Sequence, residues 1–203
     1  MPIFFQHVVS ESTRLGIWKI EETEAFFRGN VPQHRDVTHP HKRLQHLAGR
    51  FLLQFLFPDF PYGLVRIADT RKPYLPGDQY HFSISHCGDY AAAIVSRDHR
   101  VGIDIEIPVD KIARIAHKFL SGDEQIRFGE ASHRELTRLW SAKESVFKWY
   151  GNGGVDFREM IRVDRIHQAD QTLEGVFTPT QARLAIHYRD LEHLVLTWVV
   201  TEK

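Results

Sequence analysis

The chain has 203 residues, with 26 Lys and Arg balanced by 26 Asp and Glu, so its formal net charge is zero and no global field draws it toward nucleic acid or anionic lipid. Hydrophobic residues make up 42% and charged residues 26%, which excludes a disordered or fibrous chain and suits one large domain or two small ones. A single cysteine, Cys87, rules out an internal disulfide; no apolar run reaches the ~18 residues of a membrane span; and Met1-Pro2-Ile3-Phe4-Phe5 is too short and lacks a basic flank for a signal peptide. The expected location is therefore cytoplasmic, with no membrane or nucleic-acid partner.

Thr38, before His39-Pro40, is placed to cap a helix whose Leu44, Leu47, Phe51, Leu52 and Phe55 recur at helical spacing until Pro58. Arg43 and Arg50 fall on one face of that helix, either as two solvated charges or as a pair reaching one anion. Two prolines and a glycine make Phe57 to Gly63 a loop. From Gln79 the period changes to two: Tyr80, Phe82 and Ile84 point one way, His81, Ser83 and Ser85 the other. Gly88-Asp89 turns into an apolar return strand, Tyr90 to Val95, and Arg97 to Arg100 turns again into Val101 to Ile107, predicting a three-stranded antiparallel meander.

Farther on, Ser121 and Glu124, and again Ser132 and Glu135, stand at the capping-box spacing that opens helices. The second box opens a helix from His133 to Tyr150, with Gly151 at the position of a left-handed cap. A strand is expected over His193 to Val200. No short-period repeat is present, although Arg14-Leu15-Gly16-Ile17 is faintly echoed by Arg100-Val101-Gly102-Ile103, a hint of two related halves.

In Val101 to Ile107 the alternation throws Asp104 and Glu106 onto one face, their Cα atoms roughly 7 Å apart. At an effective dielectric near 20 their repulsion is about 2.4 kcal/mol, tolerable on a wet surface but needing a cation inside a cleft. Oxygen donors without His or Cys favour Mg2+ over zinc, whereas a polar strand face in water is the ordinary alternative. On the His133 helix, Glu144 and Lys148 are one turn apart and Lys143 interrupts the apolar stripe. A plain ion pair accounts for the first fact; a bound phosphate would account for both.

Gly102-Ile103-Asp104-Ile105-Glu106, followed by Trp140-Ser141-Ala142-Lys143-Glu144-Ser145-Val146-Phe147-Lys148, resembles the paired signature of Sfp-type 4′-phosphopantetheinyl transferases. Arg71-Lys72-Pro73-Tyr74 and Phe82-Ser83-Ile84-Ser85-His86 are similar to that family's basic-Pro and Ser-His elements, in the same order. The resemblance covers most of positions 40 to 155.

It implies an α+β fold of two similar lobes related by pseudo-twofold symmetry, N-terminal 1–98 and C-terminal 99–203, with the active site in the cleft between them and a monomeric state. It further implies transfer of phosphopantetheine from coenzyme A to a serine of an apo acyl or peptidyl carrier protein, releasing adenosine 3′,5′-bisphosphate, with Mg2+ as cofactor. By the family pattern Asp104, Glu106 and Glu144 ligate the metal, and Glu144 acts as the base on the serine or positions a water that does. Lys148 contacts the pyrophosphate with Lys143 in support; Ser85 and His86 lie beside the adenosine phosphates, Lys72 and Pro73 in the coenzyme-binding loop, and Arg43 and Arg50 are further phosphate contacts. Asp104, Glu144 and Lys148 form the catalytic set. The chain being neutral, a polyanionic coenzyme must be held by basic residues that the fold gathers locally.

An inactive binding module of the same fold is the alternative, and an unrelated nucleotide phosphotransferase is disfavoured because no P-loop sequence occurs. His39 and His41 lack the spacing of a helical zinc pair, and Cys87 follows His86 on a strand, so the two point to opposite faces. The aromatics of Phe57 to Tyr62 either cover a core edge or form a carrier-docking surface.

Overall fold

The computed structural model describes residues 3–32 and 36–202. Met1 and Pro2 of the opening run lie outside them; from Ile3 onward that run is strand β1. The chain divides into two compact units, one extending to Val101 and taking in Glu202, the other Gly102–Thr201. Both combine helix with antiparallel sheet, so the class is α+β. Among the described residues no helix is long and apolar enough to cross a membrane.

In the first unit β1 (Ile3–Ser10) and β2 (Thr13–Lys19) form a hairpin, followed by α1 (Glu24–Asn30) and α2 (Pro40–Leu56). Pro40 suits the first turn because its missing N–H has no helical partner there in any case. The cap is His39 rather than the expected Thr38: its Nδ1 accepts from the Lys42 N–H at 3.5 Å. Leu47, Leu52, Leu53 and Leu56 of α2 are buried in one core with Trp18, Phe27 and Phe82. Phe57, Phe60 and Tyr62 join that core at 2%, 2% and 3% exposure, so the loop aromatics cover a core edge and offer no docking surface. A short ribbon, β3 (Arg66–Ile67) with β4 (Pro73–Tyr74), precedes β5 (His81–Cys87) and β6 (Tyr90–Ser96).

The sheet order β1-β2-β6-β5 corrects the expected meander. β5 and β6 pair as anticipated, but the far edge of β6 is taken by β2, with Trp18 opposite Ala91 and Gly16 opposite Ala93. No edge is left there for the third strand. β7 (Arg100–Glu106) instead edges a five-stranded sheet, order β7-β11-β10-β9-β8.

That sheet is completed by β8 (Ile161–His167), β9 (Thr172–Phe177), β10 (Ala182–Leu191) and β11 (Leu194–Thr201), the last covering the strand expected near His193. Between β7 and β8 come α3 (Lys111–Ile115), α4 (Gly122–Phe128) and α5 (His133–Tyr150). Both predicted capping boxes are formed, Ser121 with Glu124 and Ser132 with Glu135, and Gly151 ends α5 at φ +78°. Leu139, Ala142 and Val146 of α5 pack with Ile161, Val163, Ile186 and Val199 of the sheet.

Candidate functional site

The site is built on the contact of β7 with α5. A Cβ at Gly102 would stand 2.0 Å from the Ser145 carbonyl oxygen and 2.6 Å from the Trp149 nitrogen, so only glycine admits the helix this close to the strand. Asp104 and Glu106 share the Gly102 face by strand alternation and therefore lie under α5. Asp104 is 2% exposed, which overturns the reading of a strand face in water. Its Oδ1 accepts from Lys148 Nζ at 2.6 Å, and Trp140 Nε1 donates to Glu106 Oε1 at 3.1 Å.

Glu106 and Glu144 are both pushed up to about 7, first by burial and then by the charge of Asp104, with Lys148 pulling the other way. Each therefore feels the same carboxylate and the same ammonium, which places three acids and one lysine in a single, poorly hydrated neighbourhood. Hard oxygen donors whose ionised forms repel one another suit a divalent cation such as Mg2+. Among the described residues no group of three His, Cys, Asp or Glu side chains is already arranged as a cage for an ion. Here Lys148 supplies the counter-charge.

Lys143, expected to support the pyrophosphate, is instead a structural residue. It is fully buried, and its ammonium donates to Glu124 Oε2 at 2.6 Å, to the Ile161 carbonyl at 2.6 Å and to the Phe157 carbonyl at 2.9 Å. An ammonium has three N–H donors, so none remains for a ligand. Glu124 holds the other side, accepting from Val163 N–H at 2.7 Å and Ser121 N–H at 2.8 Å. The interruption of the apolar stripe thus reflects a buried ion pair and not a phosphate.

The basic residues of the first unit are placed separately. Arg43 is held by Glu24 of α1 at 2.8 Å and donates to the Val37 and Thr38 carbonyls at 2.7 and 3.1 Å, while Arg50 lies 3.1 Å from His46 Nδ1. The two arginines thus have different partners within the protein. Lys72 precedes Pro73 at the end of a tight turn in which Arg71 has φ +66°. Burial, then the neighbouring Arg100, pulls its pKa down to about 8. Ser85 is buried and His86 exposed, so their side chains leave opposite faces of β5. His41 faces the Gly88 carbonyl at 3.0 Å and His39 caps α2, so neither marks a metal site.

Sequence reasoning missed Trp140, Glu124 and Gly102 as supports. Glu124 was legible only as a capping residue, and Trp140 and Gly102 only as members of the signature that carries the family resemblance.

A model of the 4′-phosphopantetheinyl transferase superfamily matches residues 100–200, the stretch containing β7, α5, Asp104, Glu106, Glu124 and Glu144. The chain belongs to that superfamily. Among curated proteins, enterobactin synthase component D of Escherichia coli (strain K12) is 37% identical over 113 residues, 53% of this chain and 54% of the relative. The 4′-phosphopantetheinyl transferase AcpT of Salmonella typhi is 29% identical over 153 residues, 70% and 72% of the two chains. The 4′-phosphopantetheinyl transferase psf-1 of Bacillus pumilus is 40% identical over 80 residues, 36% and 33%. The chain thus spans about half the length of the first of these relatives, 54%.

Proposed function

We propose that this protein transfers the 4′-phosphopantetheine group of coenzyme A to a serine hydroxyl of an apo acyl or peptidyl carrier protein. The observation that carries this reading is the neighbourhood of the buried Asp104 and the half-buried Glu106, Glu144 and Lys148, inside the stretch that matches the family. In the reaction the serine oxygen bonds to the phosphorus that bears pantetheine. The bond from that phosphorus to the adenosine 3′,5′-bisphosphate oxygen breaks, and the leaving group departs with the electron pair. Glu144, pushed up to about 7, is suited to take the serine proton, directly or through a water.

Asp104, Glu106 and Glu144 are the residues that would hold Mg2+, which when bound would neutralise charge building on the pyrophosphate. Lys148 adds a fixed positive charge beside Asp104, so little covalent help from the protein is required. Lys72 and His86, with Pro73 and Ser85 shaping their strands, are assigned to the coenzyme phosphates; Arg43 and Arg50 are weaker contacts because protein groups already engage them.

Incubation with coenzyme A, Mg2+ and an apo carrier protein, followed by intact-mass measurement, tests the reading. A carrier that gains one phosphopantetheine supports it. Coenzyme binding with an unchanged carrier mass supports a non-catalytic binding module instead. Asp104→Ala is expected to abolish transfer, and wild-type rates in that variant would remove Asp104 from the site.

A further inference from the structure

Trp140, Lys143 and Phe147 stand at i, i+3 and i+7 on α5 and so share one face, and Phe157, in the segment that leaves the helix, meets all three. Its carbonyl accepts from Lys143 Nζ at 2.9 Å, and its ring centroid lies 5.4 Å from that of Trp140 and 5.7 Å from that of Phe147. Phe119, fully buried, meets the indole edge to face with centroids 5.3 Å apart. Two rings therefore pack against the indole, and one of them is pinned through its own backbone to the buried Lys143. From that packing Trp140 Nε1 reaches Glu106 Oε1 at 3.1 Å.

Glu106 is the last residue of β7, and a glutamate side chain has rotatable bonds enough to have no fixed aim of its own. A donor whose own rotamer is locked by packing supplies that aim. The kind of donor matters too. An ammonium on a carboxylate, as Lys148 is on Asp104 at 2.6 Å, competes with an incoming cation. An indole N–H only donates and carries no charge, so it holds Glu106 without that opposition. With Oε1 taken by the indole, Oε2 is the oxygen that a ligand would meet.

We propose that Trp140 is a positioning residue: packed by Phe119 and Phe157, it holds Glu106 in the pose from which Oε2 meets the divalent cation. The proposal rests on the metal assignment made above, and the test separates the two. In the full chain labelled with 15N-tryptophan, Glu106→Ala should shift the Trp140 indole N–H resonance with no metal added, the signal being assigned through Trp140→Phe. Mg2+ titrated at fixed ionic strength should move that resonance saturably. The indoles of Trp149, bonded to Thr201, and Trp18, bonded to Glu22, should stay nearly in place. By calorimetry, Trp140→Phe, which keeps a ring in the cluster and removes the donor, should weaken Mg2+ binding about tenfold. Phe157→Leu, which keeps the donor and loosens its packing, should weaken it less. In the transfer assay Trp140→Phe should raise the Mg2+ concentration for half-maximal rate by the same factor, with kcat at saturating Mg2+ little changed. A Trp140 resonance indifferent to Glu106→Ala, or wild-type Mg2+ affinity in a folded Trp140→Phe, overturns the positioning role alone. A wild-type chain that binds no Mg2+ overturns the metal assignment and this role together.

Discussion

Each unit sets one long helix on a sheet, and each helix packs against a strand that carries an Arg-x-Gly-Ile tetrapeptide, yet the two contacts differ in kind. In the first unit a Cβ at Gly16 would meet the Phe5 carbonyl oxygen at 3.3 Å and Leu56 Cδ2 at 3.4 Å, a tight contact that shifts of a few tenths of an ångström relieve, and one at Gly49 of α2 would meet a side chain, Ile84 Cγ2, at 2.5 Å. At Gly102 the same atom would fall 2.0 Å from backbone. The α2 interface is dominated by leucines, with Gln45 and His46 as its buried polar residues. The α5 interface buries Thr137, Arg138, Ser141, Lys143 and Ser145. Burying apolar area asks only for volume, whereas burying charge asks for a partner at hydrogen-bond distance, so the polar helix is held to one register.

That difference can be broken most sharply at Glu144. Glu144→Gln removes a basic oxygen at nearly constant shape, and transfer should fall about 10²–10⁴-fold while coenzyme A affinity changes little. The counterpart on α2, Gln45→Ala, loses a 2.8 Å bond to the Gly88 carbonyl and should cost about 1 kcal/mol of stability with transfer unchanged. Stopped-flow turnover and denaturant unfolding of both variants decide the matter; a near-normal rate for Glu144→Gln would end its assignment as base.

Next in size is Lys143→Met, which strands the Glu124 carboxylate in the core and should cost about 3–5 kcal/mol by urea unfolding. Adding Glu124→Leu should recover part of that loss, since two apolar groups leave no charge unpaired. If the single and double variants unfold alike, the ion pair is not what makes α5 sensitive.

The glycines give the direct comparison. Gly102→Ala has to push α5 off β7 and should lose about 3 kcal/mol or more, whereas Gly16→Ala should lose less than about 1 kcal/mol. Equal losses measured by thermal unfolding would erase the distinction between the two contacts.

The smallest effect expected is a pH dependence at Lys72. Its pKa of about 8 lies below the ordinary value of about 10.4, so carrying the charge in the folded state costs stability below pH 8, and that cost is relieved as pH rises from 8 to about 10.4. A phosphate beside Lys72 favours the charged form. Coenzyme A affinity should therefore fall above pH 8, by about tenfold per unit at most, with proton uptake seen as buffer-dependent heats near pH 8.5. Lys72→Met should abolish the uptake.

Local pattern alone was enough for the elements nearest this chemistry. The capping boxes at Ser121 and Ser132, the Gly151 cap and the shared face of Asp104 and Glu106 depend on neighbours a few residues away, and all are present in the fold; β5 also forms, but it buries Ser83 and Ser85 while Ile84 is half-buried, so its polar face does not meet water. Where β7 pairs was not legible, because the partner it lacks on β6 is displaced by β2, some seventy residues earlier in the chain. Lys143 misled for a related reason: a lysine in an apolar stripe reads the same whether it faces a phosphate or a buried acid.

By itself, then, the sequence determined which side chains share a strand face or a helical turn, since those follow from backbone periods of two and 3.6 residues. Only the tertiary structure decided which of those charges meet water, a ligand or each other. Glu124 and Lys143 are nineteen positions apart and Asp104 and Lys148 forty-four, and pairing over such spans is set by how closely a helix can settle on its sheet. In this protein that approach depends on the hydrogen atom that Gly102 carries in place of a side chain.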